Sequence, residues 1–207
     1  MTHPLRARLD ELRGRDAALA TFGARAHRFQ ATPAPAAAIA AFEARHGARL
    51  PAAFVELLRE VTDGGAGPGY GLVPLERPAR ADVAEDLARL GEPFAAGEFL
   101  TLEPPDVDPD DEDAHAAAMD HYWREMPGTM TLVHYGCGIR AQLVVTGPLA
   151  GQVLLDQRAD TAGVRRFTRA VDGRWNCWER PAVDDRTPLD VLAWYGDWLD
   201  ASLARLG

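Results

Sequence analysis

The sequence contains no lysine, because all 22 of its basic residues are arginines. A Walker A phosphate loop, a Schiff-base enzyme and a protein kinase each need a lysine amine, so these three classes of protein are excluded. A GC-rich coding bias, in keeping with the abundance of alanine and arginine, explains the missing lysine better than a functional cause does.

Cysteine and long apolar runs are also scarce. Cys137 and Cys177 are too few for a disulfide scaffold, and no Cys-x-x-Cys pair indicates a zinc site. The first residues contain no apolar stretch typical of a secretory signal. No apolar run approaches the roughly 20 residues that span a bilayer. We therefore expect a cytoplasmic protein with no membrane contact, no metal and no cofactor.

Acidic charge is concentrated in one segment. Residues 103–113, EPPDVDPDDED, hold seven acidic side chains and no basic one. Subtracting these seven from the net charge of −9 leaves the other 196 residues at −2, while residues 1–30 carry +3. Binding of nucleic acid by the chain itself is not favoured, since the net charge is negative and the basic arm has no interleaved aromatic residues.

An amphipathic helix followed by a glycine-rich turn is the most regular pattern in the chain. Apolar residues recur at helical spacing over residues 51–61, and Pro51 suits the first helical turn. The turn contains Gly64, Gly65, Gly67, Pro68 and Gly71 around Tyr70. It does not match Gly-x-Gly-x-x-Gly and follows a helix rather than a strand, so we interpret it as a structural turn. We expect Tyr70 to line the core or a cleft.

The remaining elements predict an α+β fold with helices packed on a largely antiparallel sheet. Helices are predicted over residues 4–13, 35–46 and 83–91, and a brief strand over 99–102. Strands at 130–135, 141–146 and 152–156 form a meander whose turns contain Gly136, Gly138, Gly147 and Pro148. A hairpin is predicted at Asp172-Gly173, between 164–171 and 175–178.

A strongly apolar helix is predicted at the carboxyl end. Thr187 suits its N-cap, with Pro188 at the first helical position and Asp190 at the third. Trp194, Tyr195 and Trp198 widen its apolar stripe, so we expect these three aromatics in the core rather than at a ligand site.

Several motifs, in order along the chain, resemble the SUKH superfamily, which includes fungal cell-wall synthesis regulators and bacterial toxin-immunity proteins. They are IAAFEARHGARLP (39–51), the helix and glycine turn of 50–72, HYGCG (134–138, with Tyr135 added), LVVTGPLAGQVLLDQRAD (143–160) and LDVLAWYGDWLD (189–200). The resemblance implies a single α+β domain over residues 32–207. Outside the pattern lie an amino-terminal helical arm, residues 1–31, and an acidic insertion at about 103–123.

The resemblance implies a non-catalytic immunity protein that binds and neutralises a bacterial polymorphic or contact-delivered toxin. One alternative is an intracellular scaffold or regulatory module that recognises a partner of the cell's own. A second is an enzyme that uses His134 and Cys137. We do not favour the enzyme, because no orienting Asn or Asp is identifiable and a buried cysteine usually acts as a small hydrophobe.

The acidic segment allows two interpretations. A calcium loop is excluded, because its sixth position is Asp111 rather than glycine and its twelfth is Ala117 rather than glutamate. The segment is then either a solvated loop or a patch that attracts a basic partner such as a nuclease toxin. Tyr122 and Trp123 would anchor such a partner or pack in the core. Candidate partner-binding residues are Asp106, Asp108, Asp110, Asp111, Glu112, Asp113, Tyr122, Trp123 and Tyr70.

Overall fold

Four strands form one antiparallel sheet in the order β1-β2-β3-β4. They are β1 (Thr129–Gly136), β2 (Ile139–Val144), β3 (Val153–Asp156) and β4 (Val164–Arg166). The computed structural model describes residues 2–76, 87–108, 110–167 and 188–207. The predicted three-stranded meander is confirmed. The hairpin at Asp172-Gly173 and residues 83–86 of the predicted 83–91 helix lie outside the described residues.

The sheet separates two hydrophobic cores, because successive side chains of a strand point to opposite faces. Leu143, Val153 and Leu155 belong to the larger core. Their neighbours Val144 and Leu154 belong to the smaller one, with Phe94, Phe99, Met126 and Val164. The strands are therefore apolar on both faces, which explains why they read as continuous apolar runs rather than alternating ones.

The helices in the described ranges surround this sheet. They are α1 (Pro4–Arg15), α2 (Ala24–His27), α3 (Ala36–His46), α4 (Ala52–Glu60), α5 (Ala96–Phe99), α6 (Glu112–Trp123) and α7 (Val191–Arg205). The α+β class is confirmed, as are the helices predicted over 4–13, 35–46 and 51–61 and the one at the carboxyl end. Leu5, Leu9 and Leu12 of α1 pack in the larger core, so the amino-terminal arm shares that core.

The strand predicted over residues 99–102 is wrong, because this stretch ends a short helix. The backbone N–H of Phe99 donates to the carbonyl of Ala95 at 3.2 Å, and that of Leu100 donates to Ala96 at 3.0 Å. The Phe99 ring stacks on Phe94 with their centroids 5.7 Å apart. Burial of this aromatic pair in the smaller core decides the local conformation more strongly than the β-propensity of phenylalanine does.

Helix α7 begins later than predicted, with Asp190 rather than Thr187 as its N-cap. The Asp190 side chain accepts the backbone N–H of Ala193 at 2.8 Å. The preceding residue is held as extended chain: Leu189 donates to the Phe167 carbonyl at 2.9 Å and accepts from Val153 at 3.1 Å. This pairing with the sheet prevents the helix from starting at Pro188. Thr187 itself lies outside the described residues.

Helix α7 anchors the glycine-rich turn. Trp194, Tyr195 and Trp198 are buried, as predicted. The Tyr195 hydroxyl donates to the Ala66 carbonyl at 2.9 Å, and burial raises the pKa of this phenol well above its usual range. The helix therefore fixes the turn through both apolar packing and one buried hydrogen bond.

The turn approaches neighbouring backbone so closely that several of its positions require glycine, as Gly69 and Gly71 show. At Gly69, φ is +58° and a Cβ would lie 2.4 Å from the His134 carbonyl oxygen. At Gly71, φ is +103° and a Cβ would lie 2.3 Å from the Gly65 carbonyl oxygen. Gly64, Gly65, Gly67 and Pro68 lie in the same turn, Gly136 and Gly138 in the β1–β2 turn, and Gly147 and Pro148 between β2 and β3. Pro51 is the N-cap of α4 and not its first residue.

Replacing Trp198 with alanine tests the buried side of α7. The Trp198 ring packs 5.2 Å from the Tyr195 ring, centroid to centroid, and removing a buried aromatic ring typically costs about 3–5 kcal/mol. We expect Trp198→Ala to lower the melting temperature sharply, as measured by calorimetry. Phe22→Ala, at an exposed aromatic, is the control and should change it little. Equal melting temperatures for Trp198→Ala and wild type would contradict the placement of α7.

Candidate protein-binding surface

The acidic segment ends in a helix. Residues 103–108 are irregular chain, as expected of a loop, but α6 begins at Glu112 and was not predicted. Asp111 is its N-cap and accepts the backbone N–H of Ala114 at 3.1 Å. Glu112 and Asp113 lie in the first turn, where the helix dipole favours negative charge. The acidic residues that suggested a solvated loop are thus also good residues for starting a helix.

The acidic side chains are accessible to solvent. Asp106, Asp108, Asp110, Asp111, Glu112 and Asp113 are all exposed. Five of them line an open depression of about 550 Å³: Asp108, Asp110, Asp111, Glu112 and Asp113. Across the described ranges no arginine or histidine forms an ion pair with these six carboxylates. Their charge is therefore available to attract a cation or a basic surface.

Tyr122 and Trp123, at the other end of α6, have opposite environments. Tyr122 is only 2% exposed, and its hydroxyl donates to the Arg158 carbonyl at 3.4 Å. Burial raises the pKa of this phenol. Trp123 is 42% exposed. The proposal of both residues as partner contacts is therefore corrected, because Tyr122 belongs to the interior and only Trp123 can touch a partner.

A buried ion pair fixes the carboxyl end of α6 to β3. Both Asp156 and Arg158 are buried, and two guanidinium nitrogens each donate to the carboxylate at 2.9 Å. The third nitrogen, Nη1, donates to the carbonyls of Tyr122 and Arg124, each at 2.9 Å. The guanidinium also lies 5.6 Å from the centre of the Trp123 ring. One arginine thus holds the position of Trp123.

Sequence reasoning missed this pair. Asp-x-Arg is a common spacing and does not by itself indicate an ion pair. Only the position of Asp156 at the end of an apolar strand indicated that its side chain could be buried. A carboxylate and a guanidinium that follow so apolar a run can be buried together if they neutralise each other.

Tyr70 lies on the surface, so its expected place in the core or a cleft is wrong. It is 53% exposed, and its ring centroid is 5.4 Å from that of Phe22, which is 47% exposed. Its backbone N–H donates to the His134 carbonyl at 2.9 Å. The flanking glycines draw the backbone against β1, and this close approach leaves the side chain of Tyr70 to point outward.

Cys137 is also on the surface, contrary to the expectation of a buried cysteine. It is exposed in the β1–β2 turn and has φ of +49°. His134 is half-buried on β1. A cysteine-histidine enzyme would further need the imidazole to activate the thiol and a third group to orient the imidazole, so this alternative stays a prediction.

Two negative findings concern other kinds of site. In the ranges that the structure describes, no three His, Cys, Asp or Glu side chains are grouped so that they could hold a metal ion. None of the helices described there has the length and apolarity needed to cross a bilayer.

Asp16 and His27 hold the segment that carries Phe22. The Asp16 carboxylate accepts the backbone N–H of Ala20 at 2.7 Å and that of Thr21 at 2.8 Å. Burial opposes charge on Asp16, but these hydrogen bonds outweigh it and lower its pKa. His27 accepts the Phe29 N–H at its Nδ1 atom, and burial lowers its pKa to about 4.

Comparisons of the chain with known protein families, curated proteins and solved structures return no match. The resemblance to the SUKH superfamily therefore rests on the sequence motifs alone.

The buried ion pair can be tested by removing its cation. Arg158→Met would leave Asp156 charged and buried and two carbonyls unpaired, which typically costs about 3–5 kcal/mol. We expect a fall of that size in the free energy of unfolding, measured with urea, and faster amide exchange at the end of α6. The double variant Asp156→Leu, Arg158→Met should recover part of the loss. If Arg158→Met is as stable as wild type, the ion pair does not hold the end of α6 in place.

Because His27 is buried, we expect the folded chain to lose stability in acid. Its pKa is about 4 in the folded chain against 6.5 when unfolded, so the unfolded state takes up its proton first as the pH falls. The contribution of neutral His27 is complete above pH 6.5 and is lost as the pH falls toward 4. Between pH 7 and pH 5 the loss is about 2 kcal/mol, from 1.36 kcal/mol per pKa unit.

His27→Asn is the matched variant for this pH effect, because its side-chain oxygen can still accept the Phe29 N–H but does not titrate. Urea unfolding at pH 7 and pH 5 should show a smaller drop for the variant than for wild type. Equal drops would mean that His27 is not the residue responsible.

Proposed function

We propose that this chain is a non-catalytic immunity protein that binds a basic bacterial toxin and blocks its active surface. The observation that carries the proposal is the cluster of exposed carboxylates at residues 106–113, which form no ion pair within the described ranges and lead into a helix that ends in an exposed tryptophan. The resemblance to the SUKH superfamily is the reason for proposing a bacterial toxin as the partner. A toxin that acts on nucleic acid, such as a nuclease, would have the complementary charge.

Binding of this kind needs no chemistry from the immunity protein. A nuclease holds its polyanionic substrate in a cationic groove, and a surface with closely spaced carboxylates competes for the same groove. Asp108 to Asp113 lie around one open depression, and Asp111 to Asp113 are fixed to the start of α6. Charges on a helix terminus are presented in a more constant arrangement than charges on a free loop, which lowers the entropy lost on binding.

An intracellular scaffold that recognises a basic partner of the cell's own would use the same surface. The two functions differ in what the partner does when it is free. A toxin gene beside this gene, and rescue of toxin-expressing cells by this protein, would favour immunity. Binding without any rescue would favour the scaffold.

Neutralising four of the carboxylates tests the function of the acidic segment. We expect Asp108→Asn, Asp110→Asn, Asp111→Asn and Asp113→Asn together to slow association with the partner about tenfold at low salt, because long-range attraction acts before contact. The slowing should shrink as salt rises, since the screening length falls from about 10 Å at 0.1 M to about 3 Å at 1 M. Asparagine at position 111 still caps α6, so stability should hardly change.

The measurement is stopped-flow association with the purified product of the neighbouring toxin gene, or with the partner that co-purifies from the native host. A control variant removes the same net charge elsewhere: Glu11→Gln, Glu56→Gln, Glu60→Gln and Asp200→Asn, at four exposed positions of α1, α4 and α7. The control should slow association far less. If the two variants bind equally fast, or the first matches wild type at low salt, the acidic segment is not the binding surface.

A further inference from the structure

The exposed large hydrophobic side chains of the described chain are Phe22, Tyr70 and Trp123. Single exposed apolar residues are ordinary on protein surfaces and need no explanation. These three, however, come from distant parts of the sequence and are brought to the same end of the sheet. Their grouping is therefore a property of the fold and not of local composition.

Contacts across the β1–β2 turn connect the three residues. The Tyr70 ring lies 5.4 Å from that of Phe22, and a Cβ on Gly136 would lie 3.4 Å from Tyr70 Cε2. At the other side of the turn, a Cβ on Gly138 would lie 2.7 Å from the Cβ of Ala159. Ala159 directly follows Arg158, whose guanidinium lies 5.6 Å from the centre of the Trp123 ring. Phe22, Tyr70, the turn 136–138, Ala159 and Trp123 thus follow one another around this end of the sheet, and we call them together the aromatic band.

The backbone at or next to each ring of the aromatic band is held by polar contacts. The carboxylate of Asp16 binds the N–H of Thr21, immediately before Phe22. The backbone N–H of Tyr70 is bonded to His134 on β1, and Arg158 holds the end of α6 at Trp123. A fixed backbone lowers the conformational entropy that the segment loses on binding, and Tyr and Trp are enriched at the energetic centre of interfaces.

The charge around the aromatic band is uneven and indicates the kind of partner. Trp123 and the acidic residues lie at opposite ends of α6, whose 12 residues span about 18 Å. At the other end of the band, the exposed Arg25 and Arg28 follow Phe22 in the chain. A second copy of this chain carries the same net charge of −9, so repulsion disfavours it as the occupant. A protein whose basic segment meets the carboxylates at the start of α6, and whose apolar anchor meets the rings, matches this arrangement.

We propose that Phe22, Tyr70 and Trp123 are the docking contacts for the basic protein partner. The inference rests on the proposed function, and it assigns separate roles to the two parts of the surface. The carboxylates of residues 106–113 attract the basic segment and set the rate of association. The aromatic band buries the partner's apolar anchor and sets the rate of dissociation, since most losses of short-range contact act on dissociation.

Truncation of the rings tests this division of roles. Phe22→Ser, Tyr70→Ser and Trp123→Ser should each raise the dissociation rate of the co-purified partner at least about tenfold and leave association at low salt nearly unchanged. Because these rings are about half exposed, the melting temperature should fall little, and calorimetry checks that each variant is folded. Ala37→Ser, at an exposed position of α3, is the control and should not alter either rate.

The identity of the occupant is tested by a photoreactive phenylalanine analogue placed at position 70 or 123 in the native host. We expect adducts with one basic protein from both positions and none from position 37. Adducts with a second copy of this chain, or equal yields at position 37, would overturn the proposal. Ring variants with wild-type dissociation would overturn it while leaving the proposed function standing, provided that the carboxylate variant binds slowly. A further probe at position 110 reports on the acidic segment, and the absence of any partner at positions 70, 123 and 110 would reject both proposals.

Discussion

The buried pair of Asp156 and Arg158 joins the sheet to the surface that we assign to a partner. Removing two charges from water is costly, and the cost is offset here because each of the three guanidinium nitrogens donates to a defined partner. The planar fork of arginine allows the carboxylate and two helix-end carbonyls to be bound at once, which the single ammonium group of a lysine would do less well. The position of α6, and with it the geometry of the acidic residues and Trp123, depends on this contact.

The glycine-rich turn depends on a different part of the molecule, the larger core. Tyr195 of α7 reaches the Ala66 carbonyl, and Tyr70 hydrogen-bonds through its backbone to β1. The smaller core lies on the opposite face of the sheet, on the side of Phe99 and Met126. The aromatic band lies where elements supported by both cores meet at the β1–β2 turn. Its rings can therefore be well positioned even though they are themselves poorly buried.

The fold was predictable wherever local pattern and burial agree. The meander, α3 and the buried face of α7 each combine a regular apolar period with glycine or proline boundaries, and Trp194 and Trp198 lie as predicted. The side-chain directions of Tyr70 and Cys137 were not predictable, because close backbone packing decides them and the packing partners are distant in sequence. Helix α6 was missed because Asp111 to Asp113 indicate either a solvated loop or a helix start, and composition alone does not distinguish them.

The partner-binding assignment follows from how the charge is distributed relative to the cores. The carboxylates of residues 106–113 are exposed and contribute to no ion pair among the described residues, so their charge adds little to folding. Closely spaced like charges repel one another, and the start of α6 accounts for only three of the seven, Asp111, Glu112 and Asp113. A basic partner would relieve that repulsion on binding. Since Asp106, Asp108 and Asp110 lie outside both cores and do not cap α6, they can be changed with little effect on the fold, and the same scaffold can suit partners with differently arranged charge.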